Sequence, residues 1–155
     1  MFSRLQFGLM AGVLALSVGA GVALAAMSAD DAIKARRACM KIGHGGVMGV
    51  AVPMFKGEKP FDAAALKAVF DSEDTVCADW SKWWAPDLLK GDKEVTHAKA
   101  EIGTDPKGFD AAATAWYNAD QNLRKVSDLA GLKAVFPAVG AGCQGCHEKF
   151  RAPLQ

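Results

Sequence analysis

The segment Cys143-Gln144-Gly145-Cys146-His147 constrains this 155-residue chain more than any other. Two cysteines three residues apart, with a histidine directly after them, form the attachment signature of a c-type haem. The thiols add to the porphyrin vinyl groups as thioethers, and the histidine places an imidazole nitrogen on the iron. On a helix these three side chains lie at i, i+3 and i+4, so they reach one flat cofactor from the same side. The sequence therefore predicts one covalent haem c.

Two other kinds of site use closely spaced cysteines. A redox-active dithiol follows a strand and opens a helix, whereas this pair lies late in a segment with helical apolar periodicity. A zinc site needs further ligands, and the other cysteines and histidines of the chain show no paired spacing. Haem attachment is therefore the favoured interpretation of the motif.

Residues 1–25 have the pattern of a cleaved secretory signal peptide. Arg4 is their only charged residue, a long apolar run follows, and Ala23-Leu24-Ala25 offers a small-x-small cleavage site. An uncleaved membrane anchor is the alternative, but the glycines within the run and the small residues at its end favour cleavage. We therefore expect a periplasmic protein, in a compartment where haem c is attached and where cysteines oxidise.

The mature chain, residues 26–155, is long enough for one domain. Without Arg4 the 18 basic groups of the whole chain become 17, which equals the 17 acidic groups, so the mature chain is formally neutral. Nucleic acids and anionic membrane surfaces call for a basic partner, so we expect neither, and no stable membrane association after signal removal. No phosphate-binding glycine loop, nucleophile elbow or HExxH motif indicates an enzyme.

Helical periodicity recurs in four segments of the mature chain, and no segment shows sustained alternation of apolar and polar residues. The first segment begins at Ser28, with Asp31 at the spacing of a capping box. It contains three closely spaced glycines, which weaken a helix and suggest that something bulky approaches the backbone. The second segment begins near Asp62 and should extend through the tryptophans that precede Pro86.

A long polar loop, residues 86–105, should separate the second helix from the third, and His97 within it is expected to be solvated. Pro106 suits the first position of the third helix. The last helix should begin at Asp128, with Pro137 bending it or lying in its first turns. The predicted fold is an all-α, antiparallel four-helix bundle with covalently bound haem c on the C-terminal helix, since such bundles commonly hold a cofactor between facing helices.

A haem motif near the end of the fourth helix, rather than near the N-terminus, resembles the class II cytochromes c. These are cytochrome c′ and its low-spin, methionine-ligated relatives. The likeness covers essentially all of the mature chain. Three further segments resemble the first helix, the first turn and the haem-binding helix of the family: Asp31 to Arg36 followed by Met40, Lys56 to Asp62, and Leu132 to Arg151.

The resemblance implies a role for individual residues. Cys143 and Cys146 would be the thioether anchors, and His147 the proximal iron ligand. Arg151 matches a basic residue on the proximal side of the haem. Arg36 matches a first-helix residue that in cytochrome c′ lies near the haem edge and propionates; a solvated helix arginine is the alternative.

Met40 matches the distal position, where many cytochromes c′ have leucine or another apolar residue. If its thioether binds, the iron is six-coordinate and low-spin, because a soft sulfur ligand stabilises reduced iron and raises the potential. If Met40 only packs, as methionine often does in helical cores, an open site remains for NO or CO. The glycines after Met40 favour ligation, since they allow a close approach to the haem. His44, one turn further along, is a weaker rival ligand.

Cys39 and Cys77 are not explained by the haem. Both lie the same number of residues from Glu58, at the centre of the first turn, so a helical hairpin places them at about the same height. In an oxidising compartment we expect a disulfide if the two faces meet. Two buried, reduced thiols are the alternative.

Three functions are compatible with these features. The first is a periplasmic carrier of single electrons between redox partner proteins, with His147 and Met40 on the iron. The second is a five-coordinate cytochrome c′ that binds or buffers NO or CO. The third and weakest is a haem peroxidase, which would need a distal pair of His44 with Arg36 or Arg37. The family resemblance also implies a homodimer through the first two helices.

Overall fold

A computed structural model of the chain describes residues 26–153, so the predicted signal peptide lies outside the described residues. The helices are, in chain order, α1 (Ala29–Ala38), a π-helical segment (Cys39–His44), α2 (Gly45–Phe55), α3 (Ala63–Val76), α4 (Glu101–Thr104), α5 (Pro106–Leu123) and α6 (Leu129–Phe150). Extended pairing within residues 26–153 is limited to one bridge between Ala98 and Arg151. The prediction of an all-α fold is confirmed.

The first arm of the bundle runs without a break from α1 through the π-helical segment into α2. Ser28 caps it as predicted, because its side chain accepts a hydrogen bond from the backbone N–H of Asp31. The glycines do not end the helix. A Cβ at Gly43 would lie 2.8 Å from the Sγ of Cys77, so the bulky neighbour of this glycine is α3 and its C-terminal cysteine.

The second arm is shorter than the sequence predicted. Asp62 caps α3 as expected, but the helix ends at Val76, and Trp80 lies in a separate 3₁₀ turn. Trp80 packs against Trp84, with ring centroids 4.7 Å apart, and not on the apolar face of α3. The apolar periodicity of α3 continues into these tryptophans, although they pack outside the main core of the bundle. For this reason the sequence predicted a longer helix than the structure contains.

The segment between α3 and α5 is tied to both the first and the last helix. The carboxylate of Asp30, at the start of α1, accepts hydrogen bonds from the backbone N–H groups of Lys93 (3.1 Å) and Glu94 (3.0 Å). Just after α6, the backbone N–H of Ala152 donates to the carbonyl of His97 at 2.7 Å. These contacts hold the long segment across α1 and the end of α6.

The third and fourth arms begin where the sequence predicted. Asp105 caps α5, Pro106 is its first residue, and Asp128 caps α6. Pro137 lies inside α6, which continues past it. Four arms contribute to one buried core, which confirms the four-helix bundle: Val47, Ala51 and Met54 from α2, Leu66 and Phe70 from α3, Ala119 and Leu123 from α5, and Leu132, Phe136 and Val139 from α6. None of the described helices is long and apolar enough to cross a membrane.

Gly142 marks a close approach of α6 to α5. A Cβ at this position would lie 2.9 Å from the Cα of Trp116. We expect Gly142→Ala to lower the free energy of unfolding of the holoprotein by about 1–3 kcal/mol, because the two helices must separate. Gly140→Ala is the matched control, since no atom lies within 4 Å of its added methyl group, and it should gain about 0.5–1 kcal/mol. Urea unfolding of both variants measures the difference; equal effects would contradict the close crossing.

Candidate functional site

A cavity of about 660 Å³ lies between the first arm, α5, α6 and the segment that precedes α5. Its wall is mainly apolar, with Trp80, Trp84 and Phe109 among the lining side chains. All six residues that the sequence assigned to the site line this one cavity: Arg36, Met40, Cys143, Cys146, His147 and Arg151. The structure therefore brings together residues from opposite ends of the chain.

The haem motif lies in the last two turns of α6. Cys143 and Cys146 are half-buried, and burial raises the pKa of both thiols. A redox-active dithiol needs a lowered thiol pKa and a position at the start of a helix, and this pair has neither. Burial lowers the pKa of His147, helped by the positive charges of Arg151 and His44. The neutral imidazole, which is the metal-binding form, is thereby favoured.

The structure places His44 beside the Cys39–Cys77 pair, and no spacing in the sequence had predicted that histidine there. Their possible ligand atoms all lie within 4.8 Å of one another. Cys39 and Cys77 form a disulfide, with their Cα atoms 5.0 Å apart, so neither sulfur is available as a thiolate ligand. The predicted disulfide is confirmed, and this cluster is not a zinc site.

Both ring nitrogens of His44 have partners within the protein, although the residue lines the cavity. Nδ1 lies 2.8 Å from Oε1 of Glu73, and Nε2 lies 3.4 Å from Sγ of Cys39. The ring packs edge-on against Trp116, with centroids 4.1 Å apart. In this arrangement His44 has no free nitrogen for an iron, so the structure does not support it as a rival ligand or as the distal base of a peroxidase.

A buried ionic cluster beside the site was missed by the sequence analysis. Glu73 and Asp120 are each only 2% exposed. Arg124 donates to both, with Nη2 2.6 Å from Oε2 of Glu73 and Nε 2.6 Å from Oδ2 of Asp120. The available signal was an acidic residue in the apolar stripe of α3, since Glu73 lies three residues after Phe70.

The pKa values within this cluster are displaced by burial and pairing. Burial raises the pKa of Asp120, and its hydrogen bond with Arg124 opposes the rise. Burial alone would lower the pKa of Arg124, but hydrogen bonds to Asp120 and Asp74 outweigh it and raise that pKa. Arg124 therefore remains a cation that pairs with two buried carboxylates, Glu73 and Asp120, and with the exposed Asp74.

Arg36 is buried rather than solvated. Its Nη1 donates to the carbonyl of Trp83 at 2.8 Å, and its Nη2 donates to the carbonyl of Leu88 at 3.0 Å. The guanidinium also lies over the ring of Trp84, 5.0 Å from the centroid. Burial lowers its pKa. Arg36 thus fastens the segment after α3 to α1 while it lines the cavity.

The prediction that His97 is solvated is wrong. His97 is half-buried and lines the cavity. The physical reason is the backbone pairing of Ala98 with Arg151, which draws this part of the loop over the end of α6. Nothing in the local sequence indicates a contact between segments so distant along the chain.

The residues present fit haem c. The charged side chains that line the cavity are Arg36, Arg37, Lys41 and Arg151, and no acidic side chain of residues 26–153 joins them, which suits a cofactor that bears two propionates. The indole Nε1 of Trp84 is buried without an acceptor among the described residues, so a cavity ligand with acceptor oxygens is compatible with this wall. Two thiols and an imidazole on one helical stripe complete the donor set.

Comparison with known proteins agrees with this chemistry. The family described as Cytochrome C′ matches residues 31–151. The chain belongs to the cytochrome c′ family. It is 35% identical to cytochrome c′ of Cereibacter sphaeroides over 145 residues, covering 90% of this chain and 96% of that protein. It is 31% identical to cytochrome c-556 of Rhodopseudomonas palustris over 147 residues, covering 92% and 94%.

The architecture is that of the cytochrome c′ family as well. A nitric oxide complex of a cytochrome c′ mutant from Alcaligenes xylosoxidans superposes with a TM-score of 0.69 at 29% identity, covering 81% of this chain and 98% of that one. Cytochrome c′ is itself a standard example of the up-and-down four-helix bundle. The chain is therefore a haem c protein.

Proposed function

We propose that this cytochrome carries single electrons between redox partner proteins, with one haem c ligated by His147 and Met40. The observation that carries the proposal is that these two side chains, from α6 and from the π-helical segment, line the same cavity. When bound, the haem supplies an iron that alternates between the ferric and ferrous states.

Each residue of the chain has a distinct part in this proposal. Cys143 and Cys146 anchor the cofactor to α6, and His147 offers a neutral imidazole from the same stripe. Met40 offers a thioether, a soft ligand that favours the reduced state and raises the potential. The apolar wall keeps water from the iron, which also tunes the potential.

The protein is proposed to work in the periplasm and to catalyse no reaction itself. The disulfide between Cys39 and Cys77 supports an oxidising compartment, independently of the predicted signal peptide. A peroxidase would need a distal histidine and arginine, but His44 bonds Glu73 and Arg37 lies 2.8 Å from Glu94.

A second function is supported by one comparison. A mutant of cytochrome c′ from Alcaligenes xylosoxidans is known as a nitric oxide complex, so the haem of that family member takes up a small gas. If Met40 only packs in the cavity, the iron keeps an open position and this protein binds or buffers NO or CO. The two functions differ only in whether the Met40 sulfur binds the iron.

Substitution of Met40 tests the proposal. We expect the reduced wild-type holoprotein to show a low-spin optical spectrum, and Met40→Ala to become high-spin with a lower midpoint potential. The variant should bind CO about 100-fold faster. In the wild type the sulfur occupies the CO site nearly all the time, so the state that can bind CO is rarely populated. Stopped-flow mixing with CO and a redox titration provide the measurements.

Met48→Ala is the matched control, because Met48 lines the same cavity from α2. It should keep the low-spin spectrum and the slow CO reaction. A reduced wild-type protein that is high-spin, takes up CO at once and does not change with Met40→Ala would contradict the proposal and favour gas binding.

A further inference from the structure

Met40 is the second residue of the π-helical segment Cys39–His44. The π-helix is rare, and single π-helical turns inside α-helices occur frequently at functional sites. Such a turn contains extra backbone, and in an α-helix each residue turns the chain by about 100°. Relaxation of this segment to α-helix would therefore change which side chains face the cavity.

The π-helical segment is attached to α3 at both ends. Its first residue, Cys39, is joined to Cys77 by the disulfide, and its last residue, His44, lies 2.8 Å from Glu73. Between them Gly43 is buried against α3, so closely that an added Cβ would lie 3.2 Å from Val76. One face of the segment is thus held on α3.

The attachment at Glu73 is rigid because its other carboxylate oxygen is also occupied. Oε2 accepts from Arg124 of the α5–α6 turn at 2.6 Å, and Arg124 also pairs with the buried Asp120 of α5. Glu73 is 2% exposed, so water does not compete for these bonds. His44 is therefore fastened through Glu73 to two further parts of the bundle.

We infer that the Cys39–Cys77 disulfide and the His44–Glu73 hydrogen bond are positioning devices that hold Met40 towards the iron. The inference rests on the proposed ligation by His147 and Met40. A methionine side chain has three rotatable bonds and adapts easily, so the position of its sulfur depends on how firmly its backbone is held. Both attachments join that backbone to α3 and its C-terminal cysteine.

Two variants test the inference, each removing one attachment. Cys39→Ser/Cys77→Ser removes the covalent link, and His44→Phe removes the hydrogen bond while keeping an aromatic ring beside Trp116. In each holoprotein the reduced state should contain more high-spin haem and bind CO about tenfold faster, because the sulfur-free state that CO requires becomes more populated. Hydrogen exchange of the backbone amides of residues 39–44 should also be faster.

Leu132→Ala is the control for a general loss of stability. Leu132 is fully buried in α6, within the core of the bundle and outside the cavity lining. This variant should unfold at a lower urea concentration and yet keep the wild-type spectrum, CO rate and exchange of residues 39–44. The same changes in Leu132→Ala as in the two attachment variants would overturn the inference, since they would reflect stability alone.

The outcomes also separate this inference from the proposed function. Wild-type spectra and CO rates in both attachment variants, together with a clear change in Met40→Ala, would overturn the positioning role and leave methionine ligation standing. If Met40→Ala kept the wild-type spectrum and CO rate, both the positioning role and the proposed methionine ligation would be wrong. Faster CO binding in both attachment variants and slow binding in Leu132→Ala is the result we expect.

Discussion

The double variant Cys143→Ala/Cys146→Ala is expected to carry no covalently bound haem. Both sulfur atoms that can form thioethers at this cavity are then absent, so any haem that enters is held by axial ligands and packing alone. Denaturation should release all of it, whereas the wild type retains its haem. A haem stain after denaturing electrophoresis, or acid-acetone extraction, measures the loss directly.

The second cysteine pair of the chain provides the matched control. Cys39→Ser/Cys77→Ser also removes two sulfur atoms, but these form a disulfide between the π-helical segment and α3. This control should retain a full complement of covalent haem. Covalent haem in the Cys143→Ala/Cys146→Ala protein, or its loss from the control, would show that the attachment site is wrongly assigned.

Arg124→Leu is expected to lower the free energy of unfolding by about 3–5 kcal/mol at neutral pH. The substitution leaves Glu73 and Asp120, each 2% exposed, without the cation that bonds both of them. The arginine also covers the ring of Phe70, 4.6 Å from its centroid, so some packing is lost as well. Chemical unfolding of the holoprotein at fixed salt gives the magnitude.

The loss of stability in Arg124→Leu should depend on pH in a defined direction. Burial already raises the pKa of Asp120 in the folded protein. Arg124 opposes this rise, so without it the Asp120 carboxyl takes up a proton more readily in the folded state than in the unfolded state. Stability of the variant should therefore increase as pH falls from neutrality towards about 4, the ordinary carboxyl range. The deficit relative to wild type should shrink over the same interval.

An exposed ion pair is the matched control for this prediction. Lys67 pairs with Asp71 at 2.6 Å, but their side chains are 74% and 62% exposed. Lys67→Met should cost less than about 1 kcal/mol, with little change between pH 4 and 7. If Arg124→Leu were equally mild and equally insensitive to pH, the buried cluster would have no structural importance.

All six residues that the sequence assigned to the site line one cavity. The spacing of Cys143, Cys146 and His147 carries its own chemistry, because two thiols and an imidazole on one helical stripe suit one cofactor. Arg36, Met40 and Arg151 were assigned by resemblance to a family, and all line the cavity. Helix starts were also predictable at Ser28 and Asp62, since a capping side chain acts on the backbone three residues ahead.

Features that depend on contacts between distant segments were not predictable. The C-terminal end of α3, the burial of His97 and the pairing of Glu73 with Arg124 all depend on partners from other helices. Periodicity describes which face of a helix is apolar, but not what that face meets. A charged residue in an apolar stripe, such as Glu73, therefore departs from the expected pattern of burial until its partner on another helix is known.

The sequence alone predicted a four-helix bundle with one haem c on its last helix, because attachment chemistry and helical periodicity are local properties of the chain. The family resemblance also predicted Met40 as the second iron ligand, and Met40 lines the cavity. Only the tertiary structure showed how that methionine is presented: on a π-helical turn held against α3 by a disulfide and by a hydrogen bond from His44 to a buried glutamate. Local sequence could not specify this, because the backbone of that turn is held by residues more than 25 positions away along the chain.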